Sequence, residues 1–155
     1  MTTDFATRFE DLYRVAYRAA YTILGMPAEA EDCAQEALAR ALIRWRTVEH
    51  YAPAWVARVA GNLAIDRIRK LQRRDTRMPS VVVDVTAERR RDLVVALRSL
   101  PRRQREAVVL RFVLDMPEMA AASAMGCNVG TVKSATSRGL NTLRARLGPT
   151  WALED

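Results

Sequence analysis

Gly126-Cys127-Asn128-Val129-Gly130-Thr131-Val132-Lys133-Ser134 decides how this chain is read, because a sharp turn followed by a helix with a polar opening is what a helix-turn-helix requires. Upstream, Ala121, Ala122 and Met125 fall at the spacing that buries one face of a short helix. Gly126 supplies the reversal, since glycine enters the left-handed region without a steric penalty. Asn128 is placed to cap the next helix, whose apolar positions Val132, Leu140, Leu143 and Leu147 recur at helical steps. That leaves Thr131, Lys133, Ser134, Ser137 and Arg138 on other faces, with Thr131 and Lys133 in the opening turns, where a recognition helix meets base edges. Short polar side chains and a cation suit a major groove. An ordinary helical hairpin is the plainer alternative.

The 155 residues suffice for one ordinary domain or two small helical ones, and the 50% hydrophobic content excludes global disorder. Nothing at the N-terminus has the form of a signal peptide, and no apolar run approaches the roughly 20 residues of a membrane span, which predicts a cytoplasmic protein. Cys33 and Cys127 lie far apart and His50 is the single histidine, so neither a zinc pattern nor a C-x-x-C redox site is present. No metal and no cofactor are expected, and both cysteines read as small hydrophobes. With no nucleophile-base pair and no phosphate-binding glycine loop, no catalytic residue is named and an enzyme is not expected. Charge is unevenly placed. Residues 1–50 carry six basic and eight acidic groups, residues 51–110 fourteen and six, and residues 111–155 five and four. A basic centre behind an acidic front predicts two partners, one polyanionic and one basic.

The spacing of Phe5, Phe9, Leu12, Ala16, Ala19 and Ile23 predicts a helix over about 5–24, ended by Gly25 and Pro27. A second, over about 28–45, buries Ala30, Cys33, Ala34, Ala37, Leu38, Ala41, Leu42 and Trp45. Its acids, Glu29, Glu31, Asp32 and Glu36, lie toward the start and its bases, Arg40, Arg44 and Arg46, toward the end, as the helix dipole favours. Residues 47–52 read as a loop, and Pro53 opens a third helix reaching Gln72. Periodicity then fails around Pro79, where Val81-Val82-Val83 read as linker or as a short strand. Helical spacing resumes over 89–98 and 102–113, and Pro117 starts the helix-turn-helix. The predicted fold is all-α: two small helical domains, 1–72 and 89–148, joined by a linker, 73–88, with a tail, 149–155.

In the first domain Ala30-Glu31-Asp32, Gln35-Glu36, Arg40-Ala41, Ala54-Trp55, Arg58-Val59-Ala60 and Asn62 through Arg69 occur in a characteristic order. In the second, Leu100-Pro101, Gln104-Arg105, Val109-Leu110-Arg111, Gly130 through Ser134, Ser137-Arg138 and Leu143-Arg144 follow. Together these blocks resemble the bacterial sigma factors of the small extracytoplasmic-function group, which keep only the domains called region 2 and region 4. The resemblance covers nearly the whole chain. It implies a region 2 helical bundle that binds the clamp of core RNA polymerase and reads the −10 promoter element. It implies a region 4 helix-turn-helix that reads the −35 element and touches the polymerase flap. An anti-sigma factor is an implied further partner.

On that resemblance Glu31, Asp32, Gln35 and Glu36 face polymerase, which suits an acidic helix face, since complementary charge steers and registers association. Acids solvated at a helix start are the alternative. In the third helix Arg58, Arg67, Arg69 and Lys70 are read as phosphate contacts. Asn62 and the loop 46–52 are read as gripping an unstacked base, with Trp55 and Tyr51 as candidates to stack on it. Trp55 is also placed to be core, Asn62 to be a structural hydrogen-bonding residue, and Asp66 to pair with Arg69 or Lys70. The −35 set is Thr131, Lys133, Ser134, Ser137 and Arg138. Two positions depart from the family: Ala120 stands where a glutamate is usual, and Ala135 where an arginine often follows Lys-Ser, which removes a DNA donor. A free-standing helix-turn-helix regulator is the competing reading, but a dimerisation module has no need of the basic helix over 62–70.

Overall fold

The computed structural model describes residues 2–74 and 85–148, and the side chains of 5–71 and 88–148; Val81-Val82-Val83 lie outside the described residues. In chain order the elements are α1 (Thr2–Leu24), α2 (Pro27–Ile43), α3 (Trp45–Val48), a 3₁₀ turn (Glu49–Tyr51) and α4 (Ala52–Arg74). Then come α5 (Val85–Ser99), α6 (Arg102–Val108), a π-turn (Val109–Val113), α7 (Glu118–Met125) and α8 (Val129–Leu147). Among the described residues there is no strand.

The first half is a bundle of α1, α2 and α4. α1 stops at Gly25, whose φ of +67° suits glycine and whose N–H closes on the Tyr21 carbonyl at 2.8 Å. Pro27 then occupies the first turn of α2, where its missing N–H costs nothing. Ala30, Ala34, Ala37 and Ala41 are wholly buried along α2, so that face meets its neighbours with little more than backbone. Two stripe positions differ from the sequence expectation. Phe9 is 42% exposed because the stripe drifts around the helix; it starts an outer ladder of stacked rings, Phe9, Tyr13, Tyr17 and Tyr21, with centroids 6.1, 6.3 and 5.7 Å apart. Leu42 is 47% exposed because α2 ends one residue later, at Ile43. Residues 47–52 are helical rather than a loop: Trp45 and Val48 turn inward, and Arg8 Nη1 donates to the Glu49 carbonyl at 2.7 Å.

In the second half the turn before α8 forms as its residues require. Gly126 has φ +67°, its N–H bonds to the Ser123 carbonyl at 3.2 Å, and the Cys127 N–H bonds to the Ala122 carbonyl at 3.0 Å, a Schellman motif. Asn128 Oδ1 accepts from the Thr131 N–H at 2.7 Å. α6 continues into the π-turn, where the Leu114 N–H reaches the Val109 carbonyl at 3.0 Å.

α8 crosses α6 so closely at Gly139 that a methyl there would stand 2.6 Å from Val108 Cγ2 and 3.3 Å from the Gln104 carbonyl oxygen. In an open helix Gly→Ala stabilises by about 1 kcal/mol, but overpacking against a β-branched side chain costs about 1–3 kcal/mol. Gly139→Ala is therefore expected to lower the midpoint of denaturant unfolding. A raised midpoint would mean that α6 yields.

The two halves are not separate. α4 packs on α6, the π-turn and α7, Arg90 of α5 lies 5.4 Å from the Tyr21 ring centre, and the buried side chains form one continuous core.

Candidate nucleic-acid interface

Capping by Asn128 presents the start of α8. Thr131 donates its hydroxyl to Asn128 Oδ1 at 3.0 Å, so this residue serves the cap first. Lys133, Ser134, Ser137 and Arg138 are exposed together, as expected. Lys133 Nζ stands 3.8 Å from Glu118, which also faces Arg111 Nη2 at 3.7 Å; Glu118 thus ties α7 and the π-turn to the recognition helix. A groove of about 300 Å³ beside it adds Phe112, Asn141 and Arg144, which the sequence reading did not single out for contact. Ala135 is buried, so this position of α8 faces inward in the present arrangement.

The six residues assigned to the −10 element divide four ways. Trp55 is 7% exposed and belongs to the core, although its edge lines a cleft of about 520 Å³. Arg58 and Asn62 line the same cleft and are joined to the second half: Arg58 Nε donates to Glu106 Oε2, Asn62 Nδ2 donates to the same oxygen at 3.1 Å, and Arg105 Nη2 reaches Asn62 Oδ1 at 3.4 Å. Arg67 turns the other way, with Nε 2.9 Å from Glu29 and Nη2 3.5 Å from Asp32. Arg69 faces Asp66 at 3.9 Å, and Lys70 is exposed. Tyr51 is half-buried against the core.

Arg40, Arg44 and Arg102 complete the cationic lining of the cleft, and Ile43, 84% exposed, stands at its rim. In the sequence Arg40 and Arg44 stand as partners of the helix dipole, and Arg40 also within the Arg40-Ala41 block. Their four-residue spacing on one helix face was the available signal.

Glu31, Asp32, Gln35 and Glu36 are all exposed on α2. Asp32 is engaged by Arg67, and Glu36 by Arg40 at 2.7 Å. The acids border the aromatic ladder of α1: burial first, and then Glu31, Tyr17 and Asp32, push the Tyr13 phenol above its ordinary pKa. The Cys33 thiol beneath this face is likewise raised, by burial against an opposing contribution from Arg67, which fits an inert core residue. Among the described residues no cluster of histidine, cysteine and acidic side chains could hold a metal, and no helix is long and apolar enough to cross a membrane.

Residues 8–74 match the family model described as sigma-70 region 2, and residues 90–143 match that described as sigma-70, region 4. An RNA polymerase sigma-E factor of Streptomyces coelicolor is 37% identical over 149 residues, covering 91% of this chain and 82% of that protein. The ECF RNA polymerase sigma factor SigW of Bacillus subtilis is 30% identical over 161 residues, covering 88% and 86%. Among solved structures, the sigma factor RpoE of Bartonella quintana, in complex with the anti-sigma factor NepR, aligns over 93% of this chain and 96% of that one with a TM-score of 0.57 at 24% identity, a likeness of fold.

Proposed function

The chain belongs to the sigma-70 family, as a factor of its extracytoplasmic-function group, and from that premise we propose how its surfaces share the work of binding core RNA polymerase and directing initiation at promoters. The observation that carries this reading is the exposed row Lys133, Ser134, Ser137 and Arg138 on a capped recognition helix, in a chain whose other half carries the cationic cleft. Region 4 reads duplex −35 DNA with that row. Region 2 holds the opened −10 strand at Arg58 and Asn62, with Arg69 and Lys70 available to phosphates. The acidic face of α2 engages the polymerase clamp, and Arg67 braces that face through Glu29 and Asp32. The subunit supplies specificity rather than chemistry, so it is no enzyme, and it works in the cytoplasm beside polymerase. An anti-sigma factor would act by covering these same surfaces.

Run-off transcription with core polymerase and a library of random promoters tests the whole reading; a free-standing regulator would give no transcript. For the acidic face, Glu31→Lys with Glu36→Lys is the cleaner pair, because Asp32 is joined to Arg67 of α4, whereas Glu36 is paired only with the exposed Arg40 of its own helix. Exposed acids add little to stability, while like charges placed against a basic partner cost several kcal/mol. The double variant should melt as the parent does and lose core affinity by about tenfold or more. Undiminished co-purification would remove α2 from the polymerase contact.

A further inference from the structure

The groove beside α8 runs further along the helix than the row that meets base edges. Lys133, Ser137, Asn141 and Arg144 follow one another at steps of four, four and three residues, so they share one face of α8 and make one wall. Arg111 and Phe112 of the π-turn stand on the other side. The floor is Val132, Thr136 and Leu140, all buried, and the Thr136 hydroxyl is already donated to the Val132 carbonyl at 2.7 Å. It therefore offers no group that tells one base pair from another. Arg111 is committed to the Met116 carbonyl and to Glu118, the single acid of the lining, which stands beside Lys133. Asn141 and Arg144 are exposed at the far end. From Lys133 to Arg144 the helix rises by about 16 Å. A B-DNA major groove is about 12 Å wide, so a helix that sets Lys133 on base edges carries Arg144 beyond them, to the flanking strand. What that strand presents is phosphate and deoxyribose. A guanidinium and a side-chain amide suit phosphate oxygens, and the ring of Phe112, 42% exposed, suits the sugar. A protein segment fits less well, because Lys133 and Ser137 belong to the groove and to the recognition row alike, and anything else bound here would collide with the duplex.

We propose that Arg144 and Asn141, with Phe112 opposite, form a seat for the duplex backbone flanking the −35 element, which adds affinity and fixes how far α8 enters the major groove while reading no base. This rests on the assignment of Lys133, Ser137 and Arg138 to −35 DNA. Base preference stays with the opening turns of α8, and the seat supplies their register.

The test uses holoenzyme reconstituted from core polymerase and the full chain, with a promoter duplex recovered from the random library as probe. Phosphates flanking the −35 element are replaced one at a time by neutral methylphosphonates, and affinity is read by anisotropy. In the parent, replacement at one or two flanking positions should weaken binding by about fivefold. Arg144→Ala should weaken the unmodified duplex by a similar factor, make the salt dependence shallower by about one, and erase the effect of those same replacements. Its preference among −35 base variants should match the parent's, and Arg144→Lys, which keeps the charge, should recover part of the loss. Arg144 is exposed, so the variant should melt as the parent does. If every methylphosphonate effect survives in Arg144→Ala, Arg144 meets no phosphate and the proposal falls. Reduced transcription with unaltered duplex affinity also overturns it, since the groove would then hold a protein segment. If Lys133→Ala and Arg138→Ala are silent on the duplex as well, the proposal falls through the assignment of α8 to DNA, not through the groove.

Discussion

Trp45→Ala should cost about 3–5 kcal/mol of stability, the largest loss expected from a single substitution here. Trp45 is 5% exposed at the corner between α2 and α4, with Phe5 edge-on at 5.1 Å and Arg8 over its ring at 5.3 Å. Removing the indole opens a cavity under three helices and strips the Arg8 stem of its cover. At roughly 2–4 °C per kcal/mol for a chain of this size, the melting point should fall by about 6–20 °C. Trp45→Phe should lose well under half as much, because a ring remains and the indole N–H, buried without an acceptor, is gone. Equal losses in the two variants would mean that the indole edge, not the aromatic body, holds the corner. Thermal unfolding followed by circular dichroism decides between them.

Lys133→Ala should relax −35 preference at one base pair by about 1–3 kcal/mol, whereas Arg138→Ala should weaken all duplexes alike and flatten the salt dependence. Lys133 lies in the second turn of the recognition helix and Arg138 further along it. Glu118 adds a check that the sequence did not offer. It stands near Lys133 at 3.8 Å, with both side chains partly exposed, so the pair contributes little to stability but biases where the ammonium points. Glu118→Gln should therefore alter base preference in the same direction as Lys133→Ala, at smaller amplitude, without changing the melting point. Anisotropy titrations on −35 variants at several salt concentrations separate these effects. If none of the three substitutions alters duplex affinity, α8 does not enter the groove.

What could be read from the sequence was decided locally. At Gly126 the left-handed turn, and at Asn128 the cap, follow from the chemistry of single residues, and the structure has both. The core faces of α2 and α8 follow from spacing, and so does the all-α architecture. Positions that needed knowledge of neighbours went astray. Phe9 and Leu42 are apolar and in register, yet no element covers them. Residues 47–52 looked like a loop because three-residue 3₁₀ and four-residue helical turns are too short to show a period. The destinations of the arginines were least legible. Charge counts located a basic centre, but only the fold shows Arg67 turned to α2, and Arg58 joined to an acid 48 positions away.

A π-turn is a helix holding one residue more than its hydrogen-bond ladder requires. Deletion of any single residue between Val109 and Val113 would thus heal into ordinary α-helix instead of leaving a gap. Everything after it, however, would be re-aimed, because the wide turn and the ordinary turn do not carry the chain through the same angle. Arg111 and Phe112 would leave the side of the groove, and the recognition helix would be aimed elsewhere on a module that still folds. At this point of the chain, selection weighs the count of residues before their identity.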